Sequence, residues 1–359
     1  MCTACQAASF DSNQADAFAE RMLEVMNSTS LAFMLSIGHR TGLFDTMDGA
    51  EPMTSQQLAE KAGLSERYVR EWLGAMTVGR IVTYDPETQT YSLPAEHAAY
   101  LTRAARPNNL ASTMQWFSVL GAIEDRIVDV FQQGGGVRYE EYNRFHEVMA
   151  EESDQSVVAG LLEHIIPLMP EMREKLESGI DVLDAGCGGG RALIALAEAF
   201  PNSHFTGMDF SEQGIGMAQQ EANRRGLKNV TFMVQDLPLL DGSKQFDLIT
   251  TFDVIHDQAK PAETLAALRR SLKPGGTYLM QDIRASSRLE KNLDHPVAPM
   301  LYTISTMHCM TVSLALGGAG LGTVWGEELA RDMLGEAGFT VHKVEQLPHD
   351  FLNSYFVCS

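Results

Sequence analysis

Short apolar runs alternate with longer amphipathic stretches through the second half of the chain, as expected for strands and helices in turn. Five runs have the length and the character of strands, at residues 181–185, 204–209, 229–236, 246–253 and 277–283. Helical periodicity lies between them, at residues 191–200, 211–225 and 265–272. This order predicts a parallel, doubly wound α/β sheet that binds its ligand at the carboxyl ends of its strands.

The first half is predicted to be helical apart from one hairpin. Apolar helical stretches at residues 17–26 and 31–37 leave side chains that need burial. A helix capped by Thr54 or Ser55, a second helix at 66–78 capped by Ser65, and strands at 81–84 and 90–93 then form a winged-helix pattern. Three further helical patterns follow, at residues 110–133, 139–151 and 157–176.

A glycine-rich turn follows the first strand of the α/β half. Asp184 is followed by Gly186, Gly188 and Gly190, and glycines let a backbone pass close to a ligand at the start of a helix. The last glycine of a dinucleotide fingerprint would fall on Arg191, which excludes a pyrophosphate site of that kind. The remaining pattern, D-x-G-x-G-x-G, resembles the first motif of the class I methyltransferases, whose ligand is S-adenosylmethionine.

Acidic residues end the next strands along the chain. Asp209 is placed to accept from both ribose hydroxyls, and Asp236 from the adenine amino group. Either acid alone is more often a solvated turn residue, but their order in one alternating segment favours a cofactor site. The predicted cofactor-binding residues in this half are Asp184, Gly186, Gly188, Gly190, Asp209, Phe210, Gln235, Asp236, Leu237 and Asp253.

Composition narrows the possible partners. The 359 residues are enough for two domains, and the net charge of −20 disfavours DNA, RNA and anionic membranes as partners. Five cysteines do not suggest a disulfide framework, the Cys2-x-x-Cys5 pair is interpreted as incidental, and no bound metal is expected. No secretory signal is visible, so the cytoplasm is the expected compartment.

Two segments allow more than one interpretation. Residues 296–326 contain no charged side chain, but two prolines and a glycine-rich run favour a buried, substrate-lining segment over a membrane span. The winged helix could bind DNA. However, residues 54–103 hold five cations against six acids and so have no basic face, which favours dimerisation.

The whole layout resembles the winged-helix small-molecule methyltransferases, a group that includes plant phenol O-methyltransferases and bacterial and mycobacterial relatives. The resemblance implies a winged-helix dimerisation domain at 1–105, a helical bridge and lid at 106–178, and a Rossmann-like, seven-stranded methyltransferase domain at 179–359 with a substrate-lining insertion at about 285–325. Residues 145–153 match the family pattern F-x-x-x-M-x-x-x-S, which implies that Phe145 and Met149 pack near the cofactor.

Two candidate catalytic residues, His256 and Asp257, follow the fourth strand of the α/β half. A hydroxyl or thiol acceptor must lose its proton, which a histidine can take near neutral pH. The resemblance implies that His256 is this general base. Plant members also place a glutamate on the turn before the last large helix, whereas this chain has residues 320–325 without a carboxylate there. Asp257, Asp282 and Glu290 remain alternatives for orienting His256.

The predicted function is S-adenosylmethionine-dependent methyl transfer to a small-molecule hydroxyl or thiol in a homodimer. The acceptor pocket is expected to be lined by Trp116, Tyr302, Met307, His308 and Trp325. One alternative is a thiol or sulfide acceptor, for which a preformed thiolate makes the base nearly dispensable. The other alternative is a winged-helix transcriptional regulator that senses the cofactor.

Overall fold

The chain divides into two compact units. The structure, a computed structural model, describes residues 10–359, so the Cys2-x-x-Cys5 pair lies outside the described residues. The first unit contains the described residues up to 105 together with 109–118. The second unit contains residues 106–108 and 119–359.

The first unit consists of helices and a two-stranded wing. Its helices are α1 (Ser12–Thr41), α2 (Leu43–Met47), α3 (Ser55–Ala62), α4 (Glu66–Val78), α5 (Ala95–Leu101), α6 (Leu110–Thr113) and the start of α7 (Gln115–Gly121). The wing is formed by β1 (Thr83–Asp85) and β2 (Thr90–Ser92), which pair antiparallel. The predicted winged helix is therefore confirmed.

Two predicted N-cap residues stand at the starts of their helices, but only one of them makes a side-chain capping bond. Thr54 caps α3 in a capping box with Gln57, as its hydroxyl accepts from the Gln57 amide. Ser65 stands at the N-cap of α4, as predicted, but its side chain makes no capping hydrogen bond. The two helical stretches predicted before the winged helix form the single helix α1, because Thr29 and Ser30 donate to carbonyls within the helix and do not interrupt it.

The second unit is built on a seven-stranded sheet. Its strands are β3 (Asp181–Ala185), β4 (His204–Asp209), β5 (Val230–Val234), β6 (Phe246–Phe252), β7 (Leu272–Ile283), β8 (Val341–Glu345) and β9 (Asn353–Cys358). Its helices are α8 (Glu124–Gln133), α9 (Phe145–Ser156), α10 (Met172–Ser178), α11 (Arg191–Ala199), α12 (Glu212–Arg225), α13 (Pro261–Ser271), α14 (Ala298–Ile304), α15 (Met310–Ala315) and α16 (Gly326–Glu336).

The strands follow the order β5-β4-β3-β6-β7-β9-β8. Strands β3 to β7 pair in parallel, whereas β9 runs antiparallel to both β7 and β8. The sheet is thus mixed, and the expectation of a wholly parallel sheet holds for its first five strands only. The strand order reverses between β3 and β6, and ligands bind at such switch points in open α/β sheets. The predicted α/β, doubly wound, seven-stranded fold is confirmed.

Two predicted long helices are broken. Residues 110–133 form α6, α7 and α8 in place of one helix. Residues 157–168 form short 3₁₀ and π turns, and only Met172–Ser178 is α-helical, because Pro167 and Pro170 lack the amide donors that a continuous helix needs.

The uncharged segment at 296–326 contains α14, a π-helical turn at Ser305–Cys309 and α15. Among residues 10–359, no helix is both long and apolar enough to cross a bilayer. The buried residues His308, Cys309 and Val312 belong to this segment, in agreement with its predicted burial.

Candidate functional site

The glycine-rich turn after β3 is held in a conformation that favours glycine. Gly186, Gly188 and Gly190 have φ angles of 78°, 48° and 69°. A Cβ atom on Gly186 would lie 2.6 Å from the Val254 side chain, so the turn lies directly against the loop that carries His256. The Gly186 amide donates to the Met208 carbonyl at 2.7 Å, which ties the turn to the end of β4.

Two buried carboxylates flank this turn. Asp209 at the end of β4 accepts from the Gly188 amide and the Ser211 amide, both at 2.8 Å. Asp184 at β3 accepts from the Thr250 hydroxyl at 2.8 Å. Burial raises the pKa of Asp184 to about 7, and burial also raises the pKa of Asp209. The two acids thus lie at the switch point of the sheet, on either side of the glycine-rich turn.

The other cofactor residues predicted from the sequence lie near the ends of β4 and β5. Phe210 follows Asp209 and is 47% exposed. The Gln235 amide donates to the Asp209 carbonyl at 2.9 Å, which brings the segment after β5 beside that acid. Leu237 is buried, whereas Asp236 is exposed. The cradle fits a nucleoside, because acceptors for hydroxyl and amino groups surround a close-passing backbone.

His256 is buried in a short 3₁₀ turn after β6, and its Nδ1 lies 2.8 Å from Asp282 Oδ1. The same carboxylate oxygen accepts from the Trp325 indole N–H at 2.9 Å and from the Ile283 amide at 2.8 Å. Asp282 is therefore the carboxylate that orients His256. Its own position is fixed by Trp325, which stands on the turn where the plant enzymes carry a glutamate. Nδ1 of His256 is thus committed to Asp282, and the imidazole also hydrogen-bonds with the Cys309 side chain.

Neighbouring groups favour a positive charge on the His256 imidazole. Burial opposes a charge on its imidazole, but the Asp282 carboxylate, Cys309 and Asp253 favour the charge more strongly, so the pKa of His256 lies well above its usual value. Burial raises the pKa of Asp253 to about 6. Asp253 lies 3.7 Å from His256 Nδ1 and has a φ of 61°, which is a strained backbone for aspartate.

Asp253, His256 and Asp282 also form the one group among residues 10–359 that could hold a metal ion, with ligand atoms within 4.8 Å of one another. However, Asp282 Oδ1 already accepts from two N–H groups besides His256. A metal ion there would have to displace the proton between His256 and Asp282. The donors thus fit a hydrogen-bonded base better than a metal site.

Asp257 accepts a hydrogen bond from the Tyr139 hydroxyl. Burial raises the pKa of Asp257 to about 6. Tyr139 belongs to a 3₁₀ turn ahead of α9 and was not singled out from the sequence. Its proximity to Phe145 along the chain was the only signal available, since nothing in its spacing points to residue 257.

An aromatic cluster surrounds this contact. Phe145 stacks on His308 with ring centroids 4.4 Å apart, and Tyr139 meets both rings edge-on. Burial lowers the pKa of His308 to about 3, so His308 is neutral at physiological pH. Phe145 and His308, predicted on opposite sides of the site, are thus in contact. Met149 is half-buried one turn further along α9.

Only some of the residues predicted to line the acceptor pocket lie close to one another. The Met307 carbonyl accepts from the Tyr142 hydroxyl, and His308 packs in the aromatic cluster. Tyr302 is 38% exposed and its hydroxyl accepts from Asn292 at 3.4 Å. Trp325 lies in the apolar core behind Asp282. Trp116 is buried and belongs to the first unit.

Family models match both units of this chain. Residues 29–103 match the Rv2258c-like winged HTH domain, and residues 176–333 match a methyltransferase domain. A fatty-acid O-methyltransferase of Mycolicibacterium smegmatis is 35% identical over 106 residues, which are 30% of this chain and 38% of that protein. A ubiquinone biosynthesis O-methyltransferase of Methylococcus capsulatus is 32% identical over 110 residues, 30% of this chain and 46% of its own length. The chain thus spans less than half the length of these relatives.

Solved structures resemble the chain over nearly its whole length. Human N-acetylserotonin methyltransferase in complex with SAM has a TM-score of 0.68 at 16% identity, covering 98% of this chain and 99% of its own. An O-methyltransferase family protein from Burkholderia thailandensis has a TM-score of 0.66 at 13% identity, covering 95% and 97%. At these identities the likeness shows the fold. The family matches place an Rv2258c-like winged helix-turn-helix domain at residues 29–103 and a methyltransferase domain at residues 176–333.

Proposed function

We propose that this protein transfers a methyl group from S-adenosylmethionine to a hydroxyl group of a small molecule, with His256 as the general base. The observation that carries the proposal is the buried His256–Asp282 pair, whose histidine lies on the loop that packs against the glycine-rich turn. The O-methyltransferases among its relatives support hydroxyl as the acceptor group. A thiol acceptor is the alternative that the experiment below separates.

S-adenosylmethionine, when bound, supplies a methyl group activated on a sulfonium. Asp209 is placed to accept from ribose hydroxyls, and the glycine-rich turn allows the backbone to approach the nucleoside. His256 receives the acceptor proton at Nε2 while its Nδ1–H remains donated to Asp282. Asp282 thus stabilises the imidazolium formed as the acceptor oxygen gains the methyl group.

The test is a turnover screen with labelled S-adenosylmethionine against pooled phenols, hydroxy acids, amines and small thiols. Release of S-adenosylhomocysteine with hydroxyl pools alone would support the proposal. Release with thiols alone would move the assignment to the thiol acceptor. Binding without turnover on any pool would argue for a sensing protein.

The pH dependence of turnover should report the His256–Asp282 pair. A general base must be neutral to accept a proton, and Asp282 raises the pKa of His256. We expect kcat to increase with pH through an apparent pKa above the usual value of a histidine. Removing the carboxylate lowers the pKa of His256. In Asp282→Asn the rise of kcat with pH should therefore occur at lower pH, and the maximal kcat should be about 10- to 100-fold lower.

A kcat–pH profile of both proteins from pH 5.5 to 9.5 checks this expectation. Asp294→Asn is a suitable control, because Asp294 is exposed and is not among the groups that shift the pKa of His256. A limb that stays in place in Asp282→Asn would contradict the assignment of Asp282.

We also propose a homodimer formed through the first unit. Along α1, apolar side chains including Phe18, Leu23 and Met26 are about 60% exposed, a large apolar surface for a helix. Replacing Leu23 and Met26 together by glutamate should convert a dimer to a monomer, since burying two carboxylates in an apolar interface is unfavourable. Sedimentation velocity measures this, with Glu24→Gln on the same helix as the control. A wild-type protein that sediments as a monomer would contradict the proposal.

The winged helix offers little to a nucleic acid. Arg67 and Arg70 pair with glutamates one helical turn away, and Arg103 pairs with Asp45. These pairs leave the three arginines less available to bind phosphate groups. A cytoplasmic location stays a prediction.

A further inference from the structure

Tyr139 lies where three parts of the site meet. Its hydroxyl donates to Asp257 on the loop after β6. Its ring meets Phe210, which follows Asp209, with centroids 5.4 Å apart. On another side the ring meets His308 at 5.1 Å. Tyr139 therefore contacts the cofactor side, the base loop and the uncharged segment at once.

The chain around Tyr139 is fixed to the uncharged segment at several points. A Cβ atom on Gly136 would lie 1.9 Å from the Thr311 carbonyl, so the backbone passes directly over the start of α15. The Val137 amide donates to the Thr311 hydroxyl at 2.9 Å, and the Tyr142 hydroxyl donates to the Met307 carbonyl. Residues 136–142 thus form a strap over residues 307–311, and Tyr139 is its link to the base loop.

The hydrogen bond between Tyr139 and Asp257 joins this strap to the base loop. Asp257 is next to His256 in the same 3₁₀ turn, so fixing one side chain limits the movement of the turn that carries the other. A hydrogen bond to a carboxylate is stronger than one between neutral groups. The contact is therefore suited to hold His256 in register with the cofactor.

Building on the proposed function, we propose that Tyr139 is a positioning residue that couples the cofactor side of the site to the base: its hydroxyl fixes Asp257 beside His256 while its ring packs against Phe210. The coupling acts through the Asp257 carboxylate, which is why the ring alone is insufficient. Tyr139 contacts no reacting atom in this role. Its removal should change the rate of methyl transfer more than the affinity for cofactor.

The first test is Tyr139→Phe, which keeps the ring and removes the hydroxyl. We expect kcat to fall about 10- to 100-fold, the range for a hydrogen bond to a charged group, with KM for S-adenosylmethionine changed less than about threefold. Tyr278→Phe is the matched control, because it removes a buried hydroxyl bonded to Thr251 in the sheet. Equal kcat values in Tyr139→Phe and wild type would overturn the inference, and so would a loss confined to KM.

A double-mutant cycle separates coupling from two independent effects. If Tyr139 acts through Asp257, then Tyr139→Phe combined with Asp257→Ala should be no slower than Asp257→Ala alone. Multiplied losses in the double variant would show that Tyr139 acts by another route and overturn the inference.

Hydrogen–deuterium exchange tests the same contact without an acceptor. Peptides covering residues 136–145 and 254–260 should exchange faster in Tyr139→Phe than in wild type, both alone and with S-adenosylhomocysteine, while β3 and β6 stay protected. Unchanged exchange in both segments would overturn the inference. The failure of the proposed function is recognised separately, by wild-type protein that does not bind S-adenosylhomocysteine or by His256→Ala that keeps full turnover.

Discussion

Replacing His256 by alanine should lower kcat by about 10²- to 10⁴-fold, the usual contribution of a positioned general base. The affinity for S-adenosylhomocysteine should change less than about threefold, because His256 is assigned no contact with the nucleoside. The loss should be greatest for acceptors with a weakly acidic hydroxyl. Such acceptors carry almost no oxyanion of their own at neutral pH.

Steady-state kinetics with a hydroxyl acceptor and calorimetric titration of S-adenosylhomocysteine together measure this outcome. His295→Ala provides a matched control, because His295 is a half-buried histidine of the same unit that bonds its own loop. Full turnover of His256→Ala at pH 9 on the same acceptor would falsify the role of His256 as base. Turnover kept only with thiol acceptors would identify a reaction that uses a preformed thiolate.

Replacing Gly186 by alanine should weaken binding of S-adenosylhomocysteine by about 100-fold, a change of nearly 3 kcal/mol. Two costs add. A φ of 78° is unfavourable for any residue with a Cβ atom, by about 1–2 kcal/mol. The new methyl group would also lie 2.6 Å from both methyl carbons of Val254, and overpacking of this kind costs about 1–3 kcal/mol. The turn can relieve both only by moving away from the position that suits the nucleoside.

Calorimetric titration measures the affinity, and thermal unfolding without ligand shows how much of the strain falls on the fold. Gly189→Ala is the matched control, as a Cβ atom there would meet nothing within 4 Å. Binding by Gly189→Ala should stay within about threefold of wild type, because alanine fits an ordinary φ without strain. Wild-type affinity in Gly186→Ala would show that the turn tolerates the methyl group and that its geometry does not control cofactor binding.

Local patterns in the sequence predicted the central strands of the sheet and the glycine-rich turn of the site. Alternating apolar and amphipathic runs predicted strands β3 to β7 and the helices between them, and Thr54 was one of two predicted caps for the helix that begins at Ser55. These features depend on neighbours within a few residues, so they are visible in the sequence. The glycine-rich turn was visible for the same reason, since positive φ angles are required within one short segment.

Long-range pairing decided what the sequence left open. Asp257, Asp282 and Glu290 were equal candidates to orient His256 until the register of β6 against β7 placed Phe252 opposite Gln281 and so brought Asp282 beside the histidine. Strand register depends on the packing of the whole sheet, which no local pattern contains. The antiparallel pairing of β9 was undetermined for the same reason.

The surroundings of the base were also fixed only in three dimensions. Trp325 was expected in a pocket wall, but α16 begins beside it and packs on the sheet, which turns its indole N–H towards Asp282. Tyr139 reaches Asp257 across 118 positions of the sequence. The sequence by itself predicted strands β3 to β7, the helices between them and the glycine-rich turn. Only the tertiary structure decided which carboxylate serves the base and which tyrosine holds its neighbour, because both depend on contacts between segments far apart in the chain.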